Sequence, residues 1–250
     1  MERRAIVLAA GKGTRLHCDK VPKAMHEICG RPLLSVVLEN TSFISPDDTY
    51  IVVGYKKESV KKYFGEKYNY VEQKEQLGTG HAVYQCDKYF KDFEGTVLIA
   101  FGDMPLFPKE LNEKLCDYHE KSGAACTLLY AVDPKRTEWA HIIKDEKGNF
   151  VSVVEGVDCT PEQQKCKELF AGILAFDSKA LFNILPLLTN DNKQKEFYLT
   201  EAPELLAKKG YKIETFPTDD NDDLCGVNTP EDIKICERIL KSREKQPLTV

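Results

Sequence analysis

The chain has 250 residues, 42% of them hydrophobic and 30% charged, with a formal net charge of −5. That length suffices for a full α/β core, the balance is ordinary for a soluble globular protein, and net negative charge argues against a nucleic-acid-binding surface. No apolar run approaches the ~20 residues of a membrane span, no signal peptide precedes Met1, and nine cysteines without a CxxC pair point to reduced thiols in a cytoplasmic protein rather than a metal knuckle.

The first predicted element is the apolar run Ala5-Ile6-Val7-Leu8, which empties into Gly11-Lys12-Gly13-Thr14-Arg15. A buried strand ending in glycines interleaved with cations suits a polyphosphate, because glycine lets backbone N–H groups turn towards an anion. The loop is neither GxxxxGK[ST] nor GxGxxG, which disfavours a Walker or dinucleotide site. Pro22 then fixes the backbone so that Lys23 is aimed back at the same place. A helix over 32–40, a strand over 50–53, a helix over 57–64 and a strand over 70–72 follow.

Gln73, Gln76, Gly78 and Thr79 form a polar loop before a helix at 80–89. Amides pair donors with acceptors and suit the edge of a pyrimidine, and the glycine brings backbone close to a base or phosphate. A helix start capped by Thr79 is the plain alternative, and His81 reads as a packing or helix-start residue rather than a base. The strand at 97–101 ends in Gly102-Asp103. A carboxylate there is costly to desolvate unless it binds a cation or accepts hydrogen bonds, although an Asp capping the next turn is the competing explanation. A helix over 108–121, with Pro108 at its start and Gly123 past its end, leads to a strand over 126–131. Strands alternating with helices predict βαβ units around a mostly parallel sheet, with ligands at the carboxyl ends of the strands.

From residue 141 the pattern changes. Strands at 141–144, 150–155 and 169–176 lack long intervening helices and predict a mixed or antiparallel extension carrying a second substrate. Helices at 178–188 and 200–209 flank Glu196-Phe197-Tyr198-Leu199-Thr200-Glu201, where Thr200 could be no more than a cap. A strand at 212–216 precedes an acidic run, 219–223, read as solvated and not as a metal site. Asn228 offers either an oxygen ligand or an N-cap for the helix begun by Pro230; that helix reaches about residue 243, and the tail at 246–250 is expected to fray. No internal repeat or linker splits the chain. The expected organisation is one unit over 1–229, with a first part to about 130 that carries the phosphate loop and a second over 131–229 that carries the second substrate, then a C-terminal helix and tail over 230–250.

In this order, LAAGKGTRL, Pro22-Lys23, QLGTGHA, GDMPL, Val154-Glu155, Ala171-Gly172-Ile173, EFYLTE and GVN resemble the uridylyltransferase domain of bacterial N-acetylglucosamine-1-phosphate uridylyltransferases. That family belongs to the sugar nucleotidyltransferases. The blocks run from Leu8 to Asn228, nearly the whole chain. The resemblance implies an α/β, Rossmann-like mixed but mainly parallel sheet flanked by helices, of the nucleotide-diphospho-sugar transferase type. It implies Mg²⁺-dependent transfer of a uridylyl group from UTP to a sugar 1-phosphate, with no nucleic-acid or membrane partner.

Residue by residue, it implies that Leu8, Ala10, Gly11, Gly13, Gln73, Gln76, Gly78 and Thr79 hold the nucleotide. Arg15 and Lys23 hold phosphates, Asp103 and Asn228 coordinate Mg²⁺, and Glu155, Tyr198 and Thr200 contact the sugar phosphate. Two departures sit on the acceptor side. Trp139-Ala140-His141 stands where the family has Tyr-Gly-Arg, and Phe170 falls where the family has an Asn that reads the N-acetylated sugar. A phenyl ring cannot replace the amide's hydrogen bonds, a loss of ~1–3 kcal/mol for a buried group, so the acceptor, more than the base, is expected to differ. CTP or dTTP, another phosphorylated acceptor, and a catalytically silent nucleotide-binding subunit are the alternatives. Bifunctional family members continue into hexapeptide repeats that acetylate; none is present here, so acetyl transfer is not expected.

Overall fold

A computed structural model describes residues 1–16, 20–133, 138–218 and 220–245. Cys18, Asp219 and the tail at 246–250 lie outside the described residues. The strands, in chain order, are β1 (Arg3–Ala9), β2 (Glu27–Ile28), β3 (Arg31–Pro32), β4 (Thr49–Val53), β5 (Asn69–Glu72), β6 (Thr96–Phe101), β7 (Cys126–Val132), β8 (His141–Lys144), β9 (Phe150–Val154), β10 (Glu168–Asp177) and β11 (Ile213–Pro217). The helices are α1 (Leu33–Asn40), α2 (Lys57–Phe64), α3 (Thr79–Tyr84), α4 (Asp87–Phe90), α5 (Lys109–Ser122), α6 (Ser178–Ile184), α7 (Glu201–Lys208) and α8 (Pro230–Lys245).

Among the described residues nine strands form one mixed sheet in the order β11-β7-β10-β6-β1-β4-β5, with β8 paired to β10 and β9 to β8. β1 is parallel to both β4 and β6. The chain therefore runs from β1 outward to β5, then returns to the other side of β1 at β6. This reversal opens a crevice at the carboxyl ends of β1 and β6, where open α/β sheets bind ligands. The extension is antiparallel as expected, but it does more than extend: β10 inserts between β6 and β7, antiparallel to both.

Alternate residues of β1, β4 and β6 point to opposite faces, so each face carries a core of its own. Ile6, Val52, Val97 and Ile99 pack with Leu174 and Phe176 on one side. Ala5, Val7, Ile51 and Leu98 pack with Leu115 and Leu129 on the other. A third cluster fastens α8 through Cys236 to Leu16, Ile28, Leu33, Leu106 and Val227, which fixes the loop carrying Asn228. Buried thiols serve packing: desolvation pushes Cys116 up to about 12 and raises Cys86 and Cys126 as well.

Two predicted helices are interrupted. The one expected over 80–89 breaks into α3 and α4, where Gln85 and Cys86 make tight i→i−3 bonds to Ala82 and Val83. The one expected over 178–188 ends at Ile184, and Pro186, which lacks an N–H, carries the chain into a 3₁₀ turn. In the acidic run, Asp220 is not merely solvated. It accepts from the Asp222 N–H at 2.9 Å and pairs with Arg243 of α8 at 2.8 Å.

His119, buried on α5 with Nδ1 2.9 Å from Thr127 Oγ1, has its pKa lowered to about 4 by desolvation, against weaker raising effects of Asp177 and Glu120. A histidine lowered in the fold adds stability above its unfolded value of 6.5 that is lost as pH falls towards about 4. We expect denaturation curves to show a loss of about 3 kcal/mol over that range and His119→Gln to flatten it. An unchanged pH dependence in the variant would reject the assignment.

Candidate active site

A cavity of about 240 Å³ opens at the carboxyl ends of β1 and β6. Of the predicted nucleotide residues, Leu8, Ala10, Gly11, Gln73, Gln76, Gly78 and Thr79 line it, as do Lys23 and Asp103. The walls are set by backbone. Gly102 N–H donates to Leu8 O at 2.9 Å, Lys23 N–H to Gly11 O at 3.2 Å, and Gln73 N–H to Val53 O at 2.8 Å. Gly13 lies behind the cavity rather than in its wall. Its φ is +72°, and a Cβ there would stand 2.8 Å from Lys23 Cβ, so glycine at this position lets the lysine stem pass.

Lys23 Nζ is ion-paired with Asp103 Oδ2 and donates to Asn228 Oδ1 at 2.8 Å, and Arg15 donates to the same Asn228 oxygen at 2.8 Å. Four residues spread over more than two hundred positions of sequence thus meet around one ammonium. Competing local uses of these side chains are taken by other groups. Asp232 Oδ2 accepts from the N–H groups of Asn228 and Thr229, while Thr229 Oγ1 accepts from Asp232 N–H, so this reciprocal cap leaves the Asn228 amide available. Asp103 holds the Asn228 loop through its backbone, its carbonyl accepting from Val227 N–H at 2.9 Å, while its carboxylate faces Lys23. Among the described residues no group of three or more His, Cys, Asp or Glu gathers as a metal site. Asp103 and Asn228 instead offer two hard oxygens converging on one cation, a donor set that suits a hydrated divalent ion bound partly through substrate phosphates.

Gln73 is buried, its Nε2 donating to Gly78 O at 3.0 Å and standing 3.1 Å from His81 Nδ1. His81 therefore buttresses an amide, in keeping with a packing role. Gln76 donates to Gln73 O at 3.1 Å. Thr79 does not cap α3: its Oγ1 accepts from Leu199 N–H at 2.9 Å. Together with Phe197 N–H to Leu77 O and Gly80 N–H to Phe197 O, both 2.8 Å, this bond ties the nucleotide loop to the EFYLTE segment.

On that segment Thr200 Oγ1 is likewise not a cap; it donates to Glu155 Oε1 at 3.0 Å. Burial raises the Glu155 carboxyl above its ordinary range, the Thr200 bond opposing and Asp158 and Glu196 adding to the shift. Burial also raises Glu196 and the Tyr198 phenol, whose hydroxyl is shielded from solvent. Phe170 and Ala140 are not brought to the cavity. Both are buried in the core, joined by the Phe170 N–H to Ala140 O bond of 2.8 Å. Trp139, the other departure, lies beside Gly226.

Four neighbours escaped sequence reading. Glu196 and Phe101 line the cavity. Gly54 gives room to the Gln76 amide, which a Cβ would approach to 2.7 Å, and Met104 fills the space beside Gly226, where a Cβ would meet its sulfur at 2.6 Å. Only Gly54, a glycine closing a buried strand, carried a local signal.

Residues 5–198 match the MobA-like NTP transferase domain. The chain is 39% identical over 243 residues to bifunctional protein GlmU of Lactobacillus delbrueckii subsp. bulgaricus, covering 97% of this chain and 52% of that protein. With bifunctional protein GlmU of Latilactobacillus sakei subsp. sakei the identity is 37% over the same coverage. The chain spans about half the length of these relatives. A solved UDP-glucose pyrophosphorylase complexed with UDP-glucose superposes with a TM-score of 0.78 at 19% identity, over 97% of this chain and 100% of that one. A putative glucose-1-phosphate thymidylyltransferase from Bacillus anthracis gives 0.74 at 14% identity, over 95% and 94%. These likenesses bear out the expected nucleotide-diphospho-sugar transferase fold.

Gly78, at φ +116°, packs against the Phe197 backbone, which a Cβ would approach to 2.6 Å. Gly78→Ala is expected to lower stability by about 1–3 kcal/mol in chemical denaturation, since either the φ or the Phe197 contact must give way. Wild-type stability in this variant would show that the contact is not tight.

Proposed function

This chain belongs to the MobA-like NTP transferase domain family, and from that premise we propose that it transfers a uridylyl group from UTP to a sugar 1-phosphate and releases pyrophosphate. N-acetylglucosamine 1-phosphate or a related sugar is the acceptor class. The observation that carries this reading is the meeting of Lys23, Arg15, Asp103 and Asn228 beside a cavity walled by the Gly11 loop and the Gln73–Thr79 segment.

On this reading Leu8, Ala10, Gly11, Gln73, Gln76, Gly78 and Thr79 enclose the base and ribose. Lys23 and Arg15 hold the triphosphate and the incoming sugar phosphate. Asp103 and Asn228 would hold Mg²⁺, which when bound supplies positive charge to the α-phosphate and the leaving pyrophosphate. Glu155, Tyr198 and Thr200 receive the acceptor. A phosphate monoester is already largely dianionic at neutral pH, with a second pKa of about 6, so its oxygen attacks the α-phosphorus without a general base. The residues therefore contribute alignment and charge neutralisation rather than proton transfer. Because Phe170 sits in the core and presents no amide, the acceptor is the component expected to differ from N-acetylglucosamine 1-phosphate.

Asp103→Asn is expected to lower pyrophosphate release at least ~100-fold with an unchanged unfolding transition; near-normal turnover in the folded variant would sink the reading. A matrix of UTP, CTP and dTTP against hexose and N-acetylhexosamine 1-phosphates should show UTP as the preferred nucleotide. Preference for CTP or dTTP would overturn the base assignment, and nucleotide binding with no pyrophosphate release from any pair would point to a silent binding subunit.

A further inference from the structure

The Asp103–Asn228 oxygen pair already holds a cation, and it is one the protein supplies. Lys23 Nζ sits against Asp103 Oδ2 and 2.8 Å from Asn228 Oδ1. We infer that Lys23 is an exchangeable occupant of the metal position: its ammonium and a divalent ion compete for the same two oxygens, and the lysine leaves for the polyphosphate when the ion arrives. This rests on the reading of Asp103 and Asn228 as metal ligands.

Two features make exchange, rather than a fixed strut, the better account. The base of the lysine is pinned while its end is not. Pro22 with φ −68° precedes it, Lys23 N–H is bonded to Gly11 O, and Gly13 leaves its Cβ and Cγ only a narrow slot. Beyond Cγ the chain keeps its remaining torsions, and Lys23 lines the cavity proposed to take the nucleotide. The ammonium can therefore trade carboxylate for phosphate without backbone movement. The second feature is charge. Asn228 Oδ1 already accepts from Arg15 as well as Lys23, so a divalent ion adding to both cations would face strong like-charge repulsion. Displacement of the lysine removes that repulsion, and a triphosphate gives the displaced ammonium a new anion. Metal alone thus binds poorly and metal with nucleotide binds well, which orders the loading of the site.

The test is direct Mn²⁺ binding to nucleotide-free protein by electron paramagnetic resonance, a readout independent of turnover. Lys23→Met should bind Mn²⁺ about tenfold or more tightly than wild type, a change of about 1.4 kcal/mol or more. Lys23→Gln, which keeps a donor to Asn228, should do the same, and Lys23→Arg should not. Adding Asp103→Asn should abolish the gain. If neither Lys23→Met nor Lys23→Gln tightens Mn²⁺ binding, with unfolding transitions matched to wild type, the exchange is refuted. If in that case Asp103→Asn still weakens Mn²⁺ binding, only the exchange has failed. Indifference of Mn²⁺ affinity to Asp103→Asn in every background would overturn the metal-ligand reading and the exchange together.

Discussion

One half-buried ammonium organises the carboxyl edge of this sheet. Lys23 and Asp103 keep only 17% and 24% of their side-chain surface exposed, too little for solvent to screen the pair as it screens surface ion pairs worth ~0–1 kcal/mol. Removal of either partner would strand a charge in a poorly solvated place. The loop after β1, the turn after β6 and the approach to α8 are therefore held in mutual register by a requirement of charge, not by packing alone. Backbone bonds set the cavity walls, and the ion pair adds a link between the loop after β1 and the turn after β6, both of which line it.

Such an arrangement is possible only if the polar side chains are not spent on local duties. Short polar residues near helix starts tend to bond their own backbone, and Thr79, Thr200 and Asn228 each stand where a cap would be ordinary. None of the three side chains caps its helix. The Thr229–Asp232 pair caps α8, Thr79 reaches across to Leu199, and Thr200 turns to Glu155. Only at α8 does a neighbouring pair take over the cap, but all three side chains make contacts across more than forty residues of sequence. The Thr79–Leu199 bond joins the Gln73–Thr79 loop and the 196–201 segment in a single hydrogen-bonded unit.

These long-range contacts also explain what a sequence reading reaches and where it stops. β1, β4 and β6 are legible because a strand buried on both faces is a continuous apolar run, and α5 because Pro108 and Gly123 bracket it. The motif residues of the cavity are legible because glycines, amides and cations crowd together where strands end. The placement of β10 is not, since an apolar run reads alike whether its neighbours are parallel or antiparallel. Nor are Met104 and Glu196, whose significance arises only when Gly226 and the Gln73 loop are folded against them. Burial of Phe170 in the core is not legible either, because an aligned position names a place on a strand and not the face its side chain takes.

The distribution of charge around the cavity bears on why an anionic acceptor would dock in one orientation. Arg15 and Lys23 converge on Asn228 Oδ1, whereas Glu196 lines the cavity wall and acts electrostatically on Glu155 and Tyr198. Burial raises both carboxyls above their ordinary range, and carboxyl oxygens suit hydroxyl groups as hydrogen-bond partners. On the proposed reading, an acceptor with a phosphate at one end and hydroxyls at the other would turn its phosphate towards the cations and its hydroxyls towards Glu155 and Thr200. Orientation by opposed ends needs no general base and no induced strain. It asks only that the cationic end not be neutralised by its own carboxylate, and Asp103 is the carboxylate paired with Lys23 there. Hence the Lys23–Asp103 contact would set how much positive charge an acceptor phosphate could feel.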